Sequence, residues 1–246
     1  MQLVDRIFNV LELLSSNSEG FMITEISKSL DLPVSTTHRL LSSLKDNGYV
    51  IQDESTSRYK LGLKVVTLAS NYLNGNSIKQ VAKPFMEDLA YEYEEVVFLT
   101  VLENERAICI DTAVSNTRIN FYVKVGSEMP LNAAIGGQVI LAYAGEREVD
   151  RILENYSSRK YTQKTLLEPK DIKMKLNKIK EQGYGICDEE LELGVWAGAA
   201  PIMDTSGKVV ASIAMLTIKN PDNDYESKIK SLIETADKIS KALGGK

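Results

Sequence analysis

Histidine and tryptophan each occur once in the 246 residues, and cysteine only twice. A single histidine excludes a zinc site built on several of them. A Ser–His catalytic pair would have to use that same residue, His38. Cys109 and Cys187 are too few and too far apart for a disulfide framework, so free thiols in a reducing cytoplasm are expected. No apolar run approaches the ~18 residues that a membrane helix needs. The opening "MQLVDRIFNVLELL" has no basic segment before its apolar part and no small-residue cleavage site, so no signal peptide is expected. A cationic excess is missing too: the formal net charge is −5, which argues against a general nucleic-acid coat but not against a small local footprint. There is no Walker loop, no G-x-S-x-G elbow and no G-x-G-x-x-G after a strand. No catalytic residue, cofactor or metal site is therefore assigned, and an enzyme is not expected.

What is present is the balance of a soluble globular protein, 43% hydrophobic and 26% charged, long enough for two modest domains. Val4, Ile7, Leu11 and Leu14 recur at helical spacing. After the turn formers "SSNSEG", Thr24 is placed to cap a short helix that carries Ile26 and Leu30 inward. "DLP" ends it and opens a third helix, since Pro33 suits a first turn. That helix should run to about Asn47, with Gly48 as its stop. "YVIQDESTSRYKLG" follows as a β-hairpin with one buried face, Tyr49 and Ile51 on one strand, Tyr59 and Leu61 on the other.

Three helices and a hairpin are the layout of a winged helix-turn-helix. At about 100° per residue, Val34, Thr37, Leu40, Leu41 and Leu44 of the third helix share one arc. Ser35, Thr36, Arg39, Ser42 and Ser43 occupy the opposite arc, with His38 and Lys45 at its edge. A helix entering a major groove needs short side chains, hydroxyls that pair with bases or phosphates, and an Arg that can pair with guanine. Its N-terminal residues, here Ser35, Thr36 and Arg39, do the reading. A merely solvated face would be expected to carry Lys and Glu instead of a run of Ser and Thr. In the hairpin, Arg58 and Lys60 point away from Tyr59 and Leu61, as wing cations for phosphate or minor-groove contact would. His38 reads as a phosphate contact or a structural donor.

Residues 63–73, "LKVVTLASNYL", form an apolar helix. Val65, Val66, Leu68, Tyr72 and Leu73 leave it few polar faces, so it needs a partner surface. Dimerisation is one reading and packing onto its own domain is the other. "NGNS" at 74–77 marks a boundary. The division is 1–62 for the DNA-binding domain, 63–80 for a linker and dimerisation helix region, and 81–246 for the second domain. There, "VVFLTVLE" and "RAICIDTAV" read as adjacent strands, and "AAIGGQVILAYAG" as a short buried helix. "EVDRILENY" and "PKDIKMKLNKIKEQGYG" read as amphipathic helices. "AGAAPIMD" and "KVVASIAMLTI" flank "TSG" as a hairpin, and a long helix closes the chain. The order implies an α+β domain with an antiparallel sheet.

"ITEISKSLDLPVSTTHRLLSSLKDNGYVIQDESTSRYKLG" resembles the DNA-binding domain of IclR-type bacterial transcription regulators. The resemblance continues through "VGSEMPLNAAIGGQVILAY", "EQGYGICDEELELGVWAGAAPIMD" and "GKVVASIAM". It implies a winged helix-turn-helix joined by a helix to a GAF-like effector-binding domain. It also implies a cytoplasmic homodimer, or dimer of dimers, on a palindromic operator. With it, the DNA-contacting set is Thr24, Ser35, Thr36, His38, Arg39, Ser42, Ser43, Arg58 and Lys60. A small organic effector, often a carboxylate, is implied at Met129, Ala134, Ile135, Gly136 and Gly137 with strand positions Cys187, Ala197, Ala214 and Leu216.

Those strand positions depart from the polar pattern that the resemblance implies, and Asn132 stands where a His is common. A less polar effector than a two-carbon acid is expected, such as a larger or aromatic acid; a degenerate pocket is the alternative. Small residues at 133–137 expose backbone N–H groups that suit a carboxylate, but close packing of a helix on a sheet wants Gly and Ala as well. Asp188, Glu189 and Glu190 could hold a cation or form a solvated loop, the commoner case. Cys187 reads as a structural thiol, because acidic neighbours raise its pKa. Trp196 lines the pocket or covers an edge. The whole reads as an effector-controlled, sequence-specific repressor; the alternative is a small-molecule sensor that acts through protein contacts without DNA.

Overall fold

The computed structural model describes residues 3–75, 77–115 and 123–244, and of residues 70–75 and 77 the backbone alone. It falls into two compact units, Met1–Gly75 and Asn76–Lys246.

The first unit holds helices α1 (Leu3–Ser15), α2 (Ile23–Ser29) and α3 (Val34–Asp46), the strands β1 (Val50–Gln52) and β2 (Tyr59–Leu61), and α4 (Leu63–Gly75). Val10, Leu14, Ile26, Leu40, Leu41, Leu44, Val50 and Tyr59 form its core. The inner stripe of α1 is set by Val10 and Leu14, whereas Val4 is 55% exposed, which corrects the expected stripe. The short helix α2 is capped by Met22 rather than Thr24, whose place in the first turn leaves it exposed. Met22 N–H donates instead to the Glu25 carboxylate at 2.6 Å. Helix α3 starts after Pro33, whose carbonyl accepts from Thr37 N–H at 3.0 Å. It ends at Gly48, whose φ of +77° suits a residue without Cβ. Thr37, Leu40, Leu41 and Leu44 are buried as the wheel requires, but Val34 stands 50% exposed at the helix start, where the chain has only just reached the core.

Strands β1 and β2 pair antiparallel with Val50 opposite Leu61, Ile51 opposite Lys60 and Gln52 opposite Tyr59. The buried face therefore carries Val50, and Ile51 is exposed, a one-residue shift from the expected frame. On α4, Leu63, Val66 and Leu68 are all at least half exposed, so within its own unit this face is not covered. The side chains of Tyr72 and Leu73 lie outside the described residues.

The second unit opens with α5 (Ser77–Tyr93), for which the sequence pattern gives no assignment. The strands are β3 (Val96–Glu103), β4 (Arg106–Val114), β5 (Glu128–Met129), β6 (Gly185–Asp188), β7 (Val195–Met203) and β8 (Val209–Ile218). They form one antiparallel sheet in the order β5-β4-β3-β8-β7-β6. Helices α6 (Ile135–Leu141), α7 (Glu146–Asn155) and α8 (Pro169–Gln182) lie between β5 and β6 in the chain, and α9 (Tyr225–Ala242) closes it. Phe98, Ala199 and Ala214 face α6 in one apolar cluster. On the other face of β7, Trp196 stacks on Tyr225 of α9 with ring centroids 4.8 Å apart. Tryptophan thus packs under α9 and away from the Ala197 side of the sheet.

A buried ion pair ties the turn after α5 to α9, with β8 beside it. Lys228, 6% exposed, donates to the Glu95 carboxylate at 2.7 Å. The Thr217 hydroxyl donates to the same oxygen. The Lys228 ammonium also lies 5.2 Å from the Tyr93 ring centroid, and the Tyr93 hydroxyl bonds to Ser231 at 2.7 Å.

Candidate nucleic-acid interface and effector site

The outer face of α3 is built by the burial of its inner one. Ser35, His38, Arg39 and Ser43 are exposed, and Thr36 and Ser42 half-exposed, on the side opposite Leu40, Leu41 and Leu44. All six side chains reach solvent from one rigid helix whose leucines fix its rotation. That surface offers hydroxyls and one guanidinium without a carboxylate among these positions.

The wing is tied to α2. Phe21 and Tyr59 exchange backbone hydrogen bonds at 3.1 and 2.8 Å. Arg58 does not point straight outward: its Nη1 donates to the Gly20 carbonyl at 2.8 Å and pairs with Glu25 at 3.2 Å. The guanidinium turns back because Glu25, already drawn to the start of α2 by Met22 N–H, puts a carboxylate within its reach. Lys60 stays on the Ile51 face of the hairpin, half-exposed. At the wing tip, Asp53 accepts from Ser55 Oγ at 2.6 Å and from the N–H groups of Thr56 and Ser55. The Ser55 hydroxyl first, then those amides, hold its carboxyl down at about 2. The turn that presents the wing is thereby fixed.

In the second unit, the expected effector positions come together. Cys187 of β6, Ala197 of β7 and Leu216 of β8 stand side by side across three strands. Ala214 lies two residues along β8, and Met129, Ala134 and Ile135 belong to the same apolar cluster. The start of α6 rests directly on this surface. A Cβ on Gly136 would meet Thr100 Oγ1 at 2.6 Å, and one on Gly137 would meet the Ala107 Cβ at 2.5 Å. Close packing therefore requires both glycines. Ser212 Oγ donates to the Gly136 carbonyl at 2.8 Å and Cys187 Sγ to the Ala133 carbonyl at 3.2 Å. The N–H groups of Ala133 and Ala134 are not open to a ligand, since both donate to the Pro130 carbonyl at 3.1 and 2.7 Å. Burial first, and Glu190 second, push the Cys187 thiol above its usual pKa; burial takes Cys109 up to about 12. Both thiols stay protonated and unreactive.

Asn132 is fully buried and acts as a tie. Its Nδ2 donates to the carbonyls of Arg159 and Leu166 at 2.9 and 2.8 Å, and its Oδ1 accepts from Tyr156 at 3.1 Å. Residues 156–166 are thus held to the loop that leads into α6. Nor are the clustered acids a plain solvated loop. Lys164 and Lys219 each pair with Asp188 and Glu189, at 2.5–3.2 Å, and Lys175 pairs with Glu190 at 2.5 Å. Lys164 above all, then Gly194 N–H and Lys219, hold Glu189 at about 2, whereas burial raises Glu190 despite Lys175. Lysines from three distant segments neutralise these carboxylates, and among the described residues no group of acids, histidines and cysteines is placed to hold a metal.

Sequence reasoning did not find the lysine partners, because each is far along the chain from the acids, nor Arg6, which α1 carries to the side of α3. The available signal for Arg6 was a lone cation within an apolar helix.

Residues 3–54 match the model of the IclR helix-turn-helix domain, and residues 70–241 that of the C-terminal domain of the bacterial transcriptional regulator IclR. The chain is similar to the HTH-type transcriptional repressor AllR of Salmonella typhi, with 31% identity over 245 residues, covering 99% of this chain and 90% of the relative. Among solved structures, an IclR transcriptional regulator from Alicyclobacillus acidocaldarius is 26% identical with a TM-score of 0.83, covering 99% of this chain and 100% of that one. An IclR homologue from Microbacterium hydrocarbonoxydans, solved with 4-hydroxybenzoate, has the same fold, with a TM-score of 0.84 at 24% identity over 99% of both chains. The relatives are named as regulators of transcription, not as enzymes.

Proposed function

We propose that this chain, which belongs to the IclR family of bacterial transcriptional regulators, is a cytoplasmic repressor that binds a palindromic operator as a homodimer or a dimer of dimers and is controlled by a small organic acid. The observation that carries the DNA side is the rotation of α3, which buries its leucines and turns Ser35, Thr36, His38, Arg39, Ser42 and Ser43 outward. Arg39 reads bases. The hydroxyls and His38 contact bases or phosphates, Thr24 lies in the exposed first turn of α2, and Lys60 and the remaining N–H groups of Arg58 serve the wing. Residues 1–62 form the DNA-binding domain, and 81–246 the effector-binding domain. Region 63–80 links them, and its uncovered face, Leu63, Val66 and Leu68, meets the same face of a second copy.

The effector site is formed by Met129, Ala134, Ile135, Gly136 and Gly137 with Cys187, Ala197, Ala214 and Leu216. The backbone amides at the first turn of α6 suit a carboxylate. The strand positions offer no charge to a second polar group, so the rest of the ligand is apolar. Regulation is linkage: the effector favours one dimer geometry, and the linker helices convert that preference into the spacing of the two α3 helices.

Calorimetry tests the effector assignment. An aromatic acid, with 4-hydroxybenzoate as the first compound, should bind roughly 10-fold to 100-fold more tightly than glyoxylate or pyruvate, because burying a ring contributes about 1.5–3 kcal/mol. Tight binding of the two-carbon or three-carbon acid would overturn it.

A further inference from the structure

A cavity of about 350 Å³ lies between α1 and α3, beside the face assigned to base reading. Its floor is apolar, from Ile7 and Leu40, and its polar lining is Arg6, Arg39, Thr36 and Ser43. No carboxylate lines it among the described residues. Arg6 Nε is shielded from solvent and has no hydrogen-bond partner among the described residues. An N–H held out of water without an acceptor is unfavourable, so the site is complete when an acceptor arrives. Two guanidiniums and two hydroxyls present donors alone or donors that can turn, which is the chemistry that receives a phosphate.

We propose that this cavity seats a backbone phosphate of the bound duplex, with Arg6 as its principal ligand and Thr36 and Ser43 as its hydroxyl donors. The inference rests on the DNA-binding reading and extends the interface from α3 to α1. Arg39 lies at the junction, lining the cavity and standing on the outer face of α3. The phosphate in this seat carries no sequence information, so Arg6 contributes to affinity and orientation, while Arg39 contributes to choice of site.

The full chain is titrated with a labelled short duplex of mixed sequence over a salt series, which needs no knowledge of the operator. Arg6→Ala should weaken binding about tenfold per protomer. The slope of log K against log salt should become shallower by about 0.9 for each phosphate that Arg6 no longer neutralises. Arg6→Lys should keep most of the slope, and Ser43→Ala should weaken binding with the slope unchanged. If Arg6→Ala fails to fold, Arg6→Gln keeps the stem and a donor without the charge and should show the same shallower slope. Folded Arg6 variants with wild-type affinity and slope would overturn the proposal. So would a melting temperature that inorganic phosphate raises in the wild type but not in Arg6→Ala while duplex binding is equal in both, since the cavity would then serve a free phosphate. Wild-type protein that binds no duplex would overturn the DNA-binding reading itself.

Discussion

Arg39→Ala should cut the preference for operator over unrelated DNA by at least about 30-fold, without unfolding the protein. A bidentate Arg–guanine pair contributes about 1–3 kcal/mol of discrimination. Two half-sites in a dimer double this, so even the lower figure, about 2 kcal/mol in all, corresponds to roughly 30-fold. Arg39 is exposed and the α3 core residues Thr37, Leu40, Leu41 and Leu44 are untouched by the change. Circular dichroism and melting should therefore match the wild type, and effector affinity should be retained. The comparison to make is operator against mixed-sequence duplex, by anisotropy at fixed salt. A variant that still prefers its operator by the wild-type ratio would remove Arg39 from the reading face. The contrast with Arg6 is internal to the experiment, because removing a phosphate ligand lowers both affinities together.

The largest stability effect is expected at Lys228. Its ammonium is almost wholly buried against Glu95, whose side chain is 18% exposed. Removing one member of such a pair leaves a carboxylate with too little solvent and no cation, at a cost of about 3–5 kcal/mol. The partial exposure of Glu95 favours the lower end. In a chain of this size about 3 kcal/mol lowers the melting temperature of the unit by roughly 6–12 °C. Lys228→Met should show this loss in thermal and urea denaturation. Adding Glu95→Gln should restore most of it, because the amide still accepts from Thr217 and no charge is stranded. If Lys228→Met melts within about 2 °C of the wild type, the pair is not supporting the junction of α5, β8 and α9.

Strong periodicity made much of the fold legible. The third helix, β3, β4, β7, β8 and α9 could be read because their apolar residues repeat at clear spacings and turn formers bound them. The frame of β1 was misread because Tyr49, Val50 and Ile51 are all apolar, and alternation cannot be phased on three such residues; Tyr59 and the α3 core select Val50. Val4 was placed inward for a similar reason: α1 is apolar on both sides, with Phe8 58% exposed. Helix α5 and strand β6 carried no decisive pattern. The DNA-facing residues could be read from one helix wheel, since a single helix supplies most of them. The redirection of Arg58 could not, because it depends on Glu25, which only the fold brings near. The same holds for the acids at 188–190, whose character follows from Lys164, Lys175 and Lys219. At the α6 start, composition favoured close packing over ligand binding without deciding between them; the close neighbours of Gly136 and Gly137 show that packing alone already requires glycine there.

The central claim is sequence-specific binding of DNA by the outer face of α3. Its most direct test is selection of fragments from the host's genomic DNA by the wild-type protein, with and without cell metabolites. The account predicts fragments that share a two-fold-symmetric site, enriched by wild type and lost with Arg39→Ala. Recovery of no common sequence under either condition would contradict it.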